Sequence, residues 1–189
     1  GDVNGDGFAD VLVGAIGADP NGNYNAGVSY VVFGKASGFA AALDLSSLNG
    51  SNGFRLDGVA AYDLSGFSLS SAGDVNGDGF VDVLVSAYGA DPNGNFSGSS
   101  YVVFGKASGF SATMNLSSLN GRNGFRLDGE MANDISGYSV SNAGDVNGDG
   151  YTDLIVGASG ANDHGYYGSG GASYVVFGKA SGFSAAMDL

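Results

Sequence analysis

Oxygen-bearing side chains recur at alternate positions in one short segment of this sequence. GDVNGDGFAD opens the chain, GDVNGDGFVD returns at residues 73–82, and GDVNGDGYTD follows at 144–153. Counted from the first aspartate of each segment, positions 1, 5 and 9 are aspartate and position 3 is asparagine. Carboxylates this close repel one another, so without a cation we expect raised pKa values among them. The spacing predicts that each segment binds one hard divalent cation.

The predicted ligands are all oxygens, with the backbone carbonyl of position 7 joining the four side chains. This donor set favours Ca²⁺ over Mg²⁺ or Mn²⁺, whereas zinc prefers nitrogen and sulfur. Gly77 and Gly79 allow the left-handed turns that wrapping around an ion requires. We therefore expect three calcium sites. The candidate ligands are Asp2, Asn4, Asp6, Phe8, Asp10, Asp74, Asn76, Asp78, Phe80, Asp82, Asp145, Asn147, Asp149, Tyr151 and Asp153.

Two other interpretations of these segments compete with this calcium loop. An EF-hand needs a glutamate at position 12 followed by a helix. Position 12 is Val13, Val85 or Val156, and strand-like residues follow, so we place the segment in a hairpin between two strands. A plain turn is the second alternative and stays open, because Asp, Asn and Gly are ordinary turn residues.

The overall composition limits the partners that this chain can have. Its 189 residues carry a net charge of −13, with only 6 Lys and Arg and no cysteine. Such a chain is repelled by phosphate backbones and by anionic membrane surfaces, so we expect no nucleic-acid partner. No apolar stretch approaches the roughly 20 residues of a spanning helix, so we expect no membrane insertion.

The metal-loop segments belong to a longer repeat. The first aspartates Asp2, Asp74 and Asp145 are 72 and 71 residues apart. SYVVFGKASGF also occurs three times, at 29–39, 100–110 and 173–183. NGFRLDG occurs twice, at 52–58 and 123–129. One structural unit is therefore reused along the chain.

Each unit contains four short candidate strands separated by glycine-rich turns. In the central unit they are Gly66–Ala72, Phe80–Ala87, Ser99–Gly105 and Gly124–Asp128. The second and third are nearly continuous apolar runs, which favours burial on both faces. Four-stranded antiparallel sheets stacked in this way are the blades of a β-propeller. A β-sandwich or an open β-solenoid is the alternative.

The predicted fold is thus all-β, with about two and a half propeller blades of an incomplete ring. Residues 1–58 form a partial blade with strands two to four, and residues 59–129 form a complete blade. Residues 130–189 form a partial blade with strands one to three. This gives ten strands in one fragment of a propeller domain. Because a propeller closes with roughly four to eight blades, we expect the neighbouring blades in a longer parent chain.

The string SGFSLSSAGDVNGDGFVDVLVSAYGA at residues 65–90 resembles an FG-GAP repeat. This repeat is the blade unit of integrin α-subunit propellers and of many bacterial surface proteins, and the resemblance covers essentially the whole chain. The chain departs from the two signature words: Ser65-Gly66 stands for FG, and Ser86-Ala87-Tyr88 for GAP. The resemblance implies metal loops on the lower face of the propeller and ligand contacts on the upper face.

The upper-face loops are therefore the candidate site for an unknown protein or glycan ligand. The third of them differs most from its siblings and contains the only histidine, His164, with Tyr166 and Tyr167. We interpret His164 as a surface residue rather than a catalytic base. The loops are Gly17–Gly27, Gly89–Gly98, Gly160–Gly170, Asp57–Leu64 and Asp128–Ile135.

No cysteine nucleophile exists, and no serine has an evident histidine partner within the repeat. We therefore expect a non-enzymatic, calcium-stabilised propeller segment of an extracellular or cell-surface protein, serving adhesion or ligand recognition. One alternative is an accessory propeller of a secreted enzyme that degrades polysaccharides or lipids. The other is a purely structural spacer.

Overall fold

The computed structural model describes residues 1–161 and 170–189, and this part of the chain is all-β. Its helical elements are three single 3₁₀ turns, Pro20–Gly22, Leu45–Ser47 and Leu116–Ser118. No helix in these two ranges is long and apolar enough to cross a bilayer. The strands are β1 (Val11–Ala15), β2 (Val28–Val32), β3 (Gly53–Asp57), β4 (Leu69–Gly73), β5 (Asp82–Ala87), β6 (Ser99–Val103), β7 (Thr113–Asn115), β8 (Gly124–Asp128), β9 (Ser136–Gly144), β10 (Asp153–Ala158), β11 (Ala172–Val176) and β12 (Ala186–Asp188).

The strands form three sheets that follow the repeat. Their orders are β1-β2-β3-β7, β4-β5-β6-β8-β12 and β9-β10-β11. Strands that are consecutive within one repeat pair antiparallel in every case. The sheets form an open series rather than a closed ring, as the prediction of partial propeller blades required. The blade boundaries at 58/59 and 129/130 remain a prediction.

The central sheet is buried on both faces because it lies between the other two. Every residue of β5 and β6 is buried. Val83 and Val85 belong to the core shared with the first sheet, and Leu84 to the core shared with the third. Opposite faces of one strand therefore supply two separate cores, which explains its continuous apolar sequence. The strand of the first repeat that is equivalent to β5 is β1, which has no fully buried residue.

Two parallel strands that sequence analysis did not predict extend the sheets outward. β7 leaves the central repeat and pairs with β3 of the first sheet, and β12 pairs with β8 in the same way. The amides of Arg55 and Arg126 donate to the carbonyls of Ala112 and Ala185, both at 2.9 Å. The link between the third and fourth strands of one repeat therefore fastens it to the sheet before it.

Aromatic side chains from the FGKASGF segments pack between the sheets. The Phe110 ring stacks on Phe54 of the first sheet with centroids 4.6 Å apart, and it contacts Phe33 edge-on at 5.3 Å. Lys106 Nζ lies 4.9 Å from the Phe110 centroid. Phe183 repeats this arrangement on Phe125 of the central sheet, also at 4.6 Å. Lys106 and Lys179 therefore each lie against an inter-sheet aromatic stack.

Candidate functional site

The second and third aspartate-rich segments lie in the hairpins that sequence analysis predicted. The second connects β4 to β5, and the third connects β9 to β10. Gly77 and Gly79 adopt φ values of +73° and +90°, the left-handed turns expected of them. The first segment immediately precedes β1. We call the three segments, residues 2–10, 74–82 and 145–153, the aspartate loops.

The side chains at positions 1 and 3 of each aspartate loop converge on the backbone amide of position 5, whose own side chain accepts the amide of position 7. In the central loop, Asp74 Oδ1 and Asn76 Oδ1 both accept the amide of Asp78, at 3.0 and 2.9 Å. Asp74 Oδ2 accepts the amide of Gly79, and Asp78 Oδ1 accepts that of Phe80. The other loops have the same bonds around Asp6 and Asp149. Three oxygen-bearing side chains are thus gathered within one turn of backbone.

Position 9 has a different environment from the other three side-chain positions. Asp82 is fully buried, and its two oxygens accept the amides of Val75 and Gly105, both at 2.9 Å. Asp10 and Asp153 accept the equivalent amides at 2.7 to 2.9 Å. Each of these carboxylates therefore ties its own loop to the residue that follows the third strand of the same sheet. Sequence analysis missed this role. The only sequence signal was the glycine that ends each SYVVFG string, whose amide is the one donated.

The pKa values of Asp10 and Asp82 are raised, as predicted, but with a different main cause. Burial raises the pKa of Asp82 to about 7, and the charges of Asp78 and Asp74 raise it further, while its two amide hydrogen bonds lower it. The pKa of Asp10 is raised by burial in the same way, with smaller contributions from its loop neighbours. Desolvation of the carboxylate therefore outweighs repulsion between the aspartates.

Neighbouring aspartate loops contact one another in chain order. The position 1 carbonyls of Asp2 and Asp74 accept the amides of Val81 and Thr152, at 3.2 and 3.0 Å. The position 7 ring of Phe80 lies so close to Gly5 that a Cβ there would collide with it. Tyr151 lies against Gly77 in the same manner. Position 7 of one loop therefore packs on the glycine at position 4 of the loop before it.

In the described ranges, no positive side chain forms an ion pair with an aspartate loop. Within residues 1–161 and 170–189, the ion pairs are Arg55–Asp57 and Arg126–Asp128, at 2.7 and 2.6 Å. Both arginines thus pair with carboxylates of their own strands. None of the nine loop aspartates has such a partner in these two ranges.

The loop residues fit a hard divalent cation by the chemistry of their donors. Every side chain at positions 1, 3, 5 and 9 offers oxygen, and those at positions 1 and 3 accept the same backbone amide. In the described ranges, no three Asp, Glu, His or Cys side chains form a metal centre by themselves. An ion would therefore also need the asparagine and backbone oxygens, with position 7 as the expected carbonyl donor.

The opposite ends of the sheets contain the predicted upper-face loops. The loops Gly17–Gly27 and Gly89–Gly98 are built alike: Asp19 and Asp91 each accept an amide of the same loop at 2.7 Å. Asn93 Nδ2 donates to the Gly129 carbonyl at 2.9 Å, which joins this loop to the next connection. Residues 162–169, which include His164, Tyr166 and Tyr167, lie outside the described residues.

Exposed aromatic side chains at this end were not singled out by sequence analysis. Phe67, Tyr88 and Tyr138 form a cluster with ring centroids 4.6 to 5.9 Å apart. Tyr24 and Tyr62 pair edge-on at 5.5 Å, although they are 57% and 60% exposed. The sequence signal for the cluster was the aromatic residue after each Ser-Gly pair that replaces FG, namely Phe67 and Tyr138.

A small cavity lies beside these aromatics, between the first and central sheets. It measures about 240 Å³ and is lined by Asp63, Asp91, Tyr101 and Arg126, among others. Asp63 is only 6% exposed, and its Oδ2 accepts the Ala60 amide at 2.9 Å. Burial raises the pKa of Asp63, and the charge of Asp91 adds to this effect. The cavity is therefore lined by two carboxylates and one guanidinium among apolar side chains.

Comparison with known families agrees with the repeat and with the loop geometry. The FG-GAP repeat model matches residues 1–32, 65–103 and 136–176. The chain belongs to the FG-GAP repeat family. Each match contains one aspartate loop and extends into the third strand of its sheet.

This FG-GAP chain is also similar to curated integrin α chains. It is 29% identical over 158 residues to integrin alpha-4 of Xenopus laevis, covering 83% of this chain and 13% of the relative. It is 32% identical over 166 residues to integrin alpha-PS5 of Drosophila melanogaster, covering 85% and 14%. Against human integrin alpha-IIb it is 32% identical over 167 residues, covering 88% and 15%. The chain thus spans 13% to 15% of the length of these relatives.

Proposed function

We propose that this FG-GAP segment is a calcium-stabilised, non-catalytic part of a propeller that serves adhesion or ligand recognition outside the cell. The observation that carries the calcium proposal is the row of three aspartate loops. Each gathers oxygens at positions 1, 3 and 5, and none has a positive partner in the described residues. Calcium supplies the positive charge that these carboxylates lack.

The residues proposed to hold each ion are the five loop positions predicted from the sequence. Extracellular calcium modules bind at about 10⁻⁴–10⁻³ M, which suits millimolar calcium outside a cell. At a calcium concentration 100 times the dissociation constant, each occupied site would stabilise the fold by about 2.7 kcal/mol. We place the protein outside the cell or on its surface on this basis and on the integrin similarity.

Metal analysis with matched variants tests the calcium proposal. After equilibrium dialysis, calcium is measured by atomic emission on wild type, on Asp78→Ala and on Glu130→Gln. We expect three, two and three ions per chain, because Asp78 lies in a loop whereas Glu130 is an exposed carboxylate outside all three. No bound calcium in the wild type would refute the proposal, and three ions in Asp78→Ala would refute the ligand assignment.

The proposed ligand-binding face is the end of the sheets opposite the aspartate loops. It combines the loops that the structure describes, the Phe67–Tyr88–Tyr138 cluster and the cavity beside Asp63. Exposed aromatic rings beside polar groups suit protein and sugar contacts. We therefore propose a protein or neutral glycan partner, since the net charge of −13 disfavours acidic polymers.

Binding arrays of extracellular proteins and glycans, run in millimolar calcium, test the proposed ligand-binding face. Any partner identified should lose affinity with Tyr138→Ser, whose ring is 49% exposed in the cluster. It should keep affinity with Val146→Ser, which is 56% exposed but lies in an aspartate loop at the other end. The reverse pattern would place the ligand on the aspartate-loop end and contradict the proposed binding face. Turnover of an arrayed polysaccharide or lipid would contradict the non-catalytic assignment.

A further inference from the structure

The connection that leads from one sheet to the next is fastened to an upper-face loop in the same way at two places, which we call the first and second junctions. At the first junction, the amide of Tyr62 donates to the carbonyl of Tyr24 at 2.9 Å. At the second, the amide of Asn133 donates to the carbonyl of Asn95 at 2.8 Å. The two junctions therefore share one backbone arrangement, but the first presents two tyrosines where the second presents two asparagines.

Tyr62 has a backbone conformation that tyrosine disfavours. Its φ is +69°, and that of Asn133 is +68°. Asparagine adopts this left-handed region readily, whereas a bulky aromatic residue there is an outlier, because its Cβ approaches the following carbonyl. Tyr62 is 60% exposed, so burial of its ring offsets little of this cost. The first junction thus holds an exposed aromatic ring under backbone strain, and strain of this kind concentrates at binding sites.

The exposure of the two tyrosines does not come from an absent neighbouring sheet. Tyr62 lies between β3 of the first sheet and β4 of the central sheet, and both sheets are present. Asn95 and Asn133 occupy the same places between the central and third sheets, and they are exposed as well. The repeat itself therefore presents this pair of positions to solvent.

The tyrosine pair combines apolar ring surface with unpaired polar groups. The two rings meet edge-on, with centroids 5.5 Å apart and an angle of 65° between their planes, so they form the walls of a shallow corner. Neither phenol hydroxyl has a hydrogen-bond partner among the described residues. Asn23 and Asn25 flank Tyr24 in the chain, and Asn23 Nδ2 donates to the Val59 carbonyl at 3.1 Å. The Oδ1 atom of Asn23 has no partner in the described part of the chain.

We propose that the Tyr24–Tyr62 pair binds one neutral hexopyranose residue of a glycan. The proposal rests on the proposed function, because it names the ligand class for part of the same face. The C–H bonds on one side of a pyranose ring carry partial positive charge, which packs favourably on the negative face of an aromatic ring. The sugar hydroxyls then bond to the phenol and amide groups beside the rings.

Size and charge favour a neutral sugar over the other partners of this surface. A standard protein interface buries about 800 Å² on each side, which is far more than two rings provide, whereas one sugar ring matches them in size. Acidic sugars are disfavoured by the net charge of −13. Asp19 adds to this effect locally, since its carboxylate accepts the Asn25 amide within the same loop at 2.7 Å.

Titration of the intact 189-residue chain with tetrasaccharides, in millimolar calcium, tests the proposed ligand class. The neutral probes are cellotetraose, mannotetraose, galactotetraose and chitotetraose, and tetragalacturonate is the acidic one. At least one neutral probe should saturate at millimolar concentration, with the largest NMR shifts at the rings of Tyr24 and Tyr62. Tetragalacturonate should bind roughly ten-fold more weakly or not at all. Saturation by none of the neutral probes, or tighter binding of the acidic one, would overturn the inference.

Variants that copy the second junction test the location. Tyr24→Asn and Tyr62→Asn should each weaken binding of the neutral probe by roughly ten-fold or more, because the stacking surface is lost. Tyr62→Asn should leave the urea midpoint unchanged or raise it, since asparagine tolerates the left-handed backbone. Unchanged affinity in both variants would overturn the inference. A lower midpoint for Tyr62→Asn would also overturn it, because the ring would then stabilise the fold.

Two further variants separate this inference from the wider proposal for the upper face. Val146→Ser, at the aspartate-loop end, is the matched control and should keep full affinity for the neutral probe. Sugar binding that depends on Tyr138 but not on Tyr24 or Tyr62 would overturn the Tyr24–Tyr62 site and leave the proposed face intact. So would a protein partner that requires Tyr138 while no neutral probe binds.

Discussion

At the scale of single residues, the ninth aspartate of each loop combines a structural role with a proposed metal-binding one. Asp82 accepts two buried backbone amides, whereas Asp78 is exposed and bonds only within its own loop. Asp82→Ala should therefore cost about 2–4 kcal/mol of unfolding free energy with or without calcium, because two buried amides lose their acceptor. Asp78→Ala should remove mainly the calcium-dependent increment. Urea unfolding of both variants in EDTA and in calcium measures these two losses of unfolding free energy. Equal losses in EDTA would contradict the structural role assigned to Asp82.

Folding stability should also depend on pH through Asp63, which lies outside the aspartate loops. Its folded pKa is raised, chiefly by burial and then by the charge of Asp91, while the Ala60 amide and Arg126 act in the opposite direction. The folded state therefore holds the proton more tightly than the unfolded state does. Stability from this group is fully present below the unfolded pKa, near 4, and is lost as pH rises through the folded pKa.

Relative to Asp63→Asn, the wild type should thus become less stable as pH rises from about 4, until Asp63 is fully ionised. Urea midpoints of both proteins across this range give the difference. Comparing the two proteins removes the contributions of Asp10 and Asp82, whose pKa values are also raised. A difference that does not vary with pH would show that Asp63 does not titrate differently in the folded state.

At the scale of elements, the packing of one aspartate loop on the next predicts that their calcium sites are coupled. The Phe80 carbonyl is a proposed ligand of its own loop, while the Phe80 ring covers Gly5 of the preceding loop. Phe80→Ala keeps the carbonyl, so three ions should still bind. The first loop should lose about five-fold or more in affinity, since its glycine is no longer held.

Calorimetric titration measures this effect, and a double variant assigns it to the first loop. With Asp6→Ala already present, Phe80→Ala should change the remaining calcium binding little. Phe8→Ala is the matched control, because Phe8 is also at position 7 but is 41% exposed and precedes the other loops in the series. Equal effects of Phe80→Ala and Phe8→Ala would rule out coupling through the ring.

Strands whose own residues specify them could be predicted from the sequence, whereas β7 and β12 could not. Gly124–Asp128 was predicted to the residue, because a short segment with apolar residues at alternate positions, bounded by glycines, indicates a strand by itself. Thr113–Asn115 and Ala186–Asp188 are three residues long and have no apolar alternation. They become strands because an earlier sheet presents an open edge to them. Likewise, convergence within the aspartate loops followed from local spacing, but the bond from Asp82 to Gly105 spans 23 residues.

At the scale of the whole molecule, stability should depend on where each repeated side chain lies in the series of sheets. Phe39 and Phe110 occupy the same place in the FGKASGF segments, and each lies under its own lysine. Phe110 is 9% exposed because it stacks on Phe54 of the preceding sheet, whereas Phe39 is 49% exposed. Identical substitutions therefore test the inter-sheet contact while the local sequence is held constant.

Phe110→Ala should cost about 3–5 kcal/mol of unfolding free energy, the usual range for removing a buried phenylalanine. Phe39→Ala should change it by no more than about 0.5 kcal/mol, as an exposed substitution does. Urea unfolding of both variants in saturating calcium gives the comparison, and calcium stoichiometry confirms that the loops stay intact. If the two variants lost the same amount, the aromatic stack would contribute nothing beyond the local segment. The stability of these blades would then not depend on packing between them.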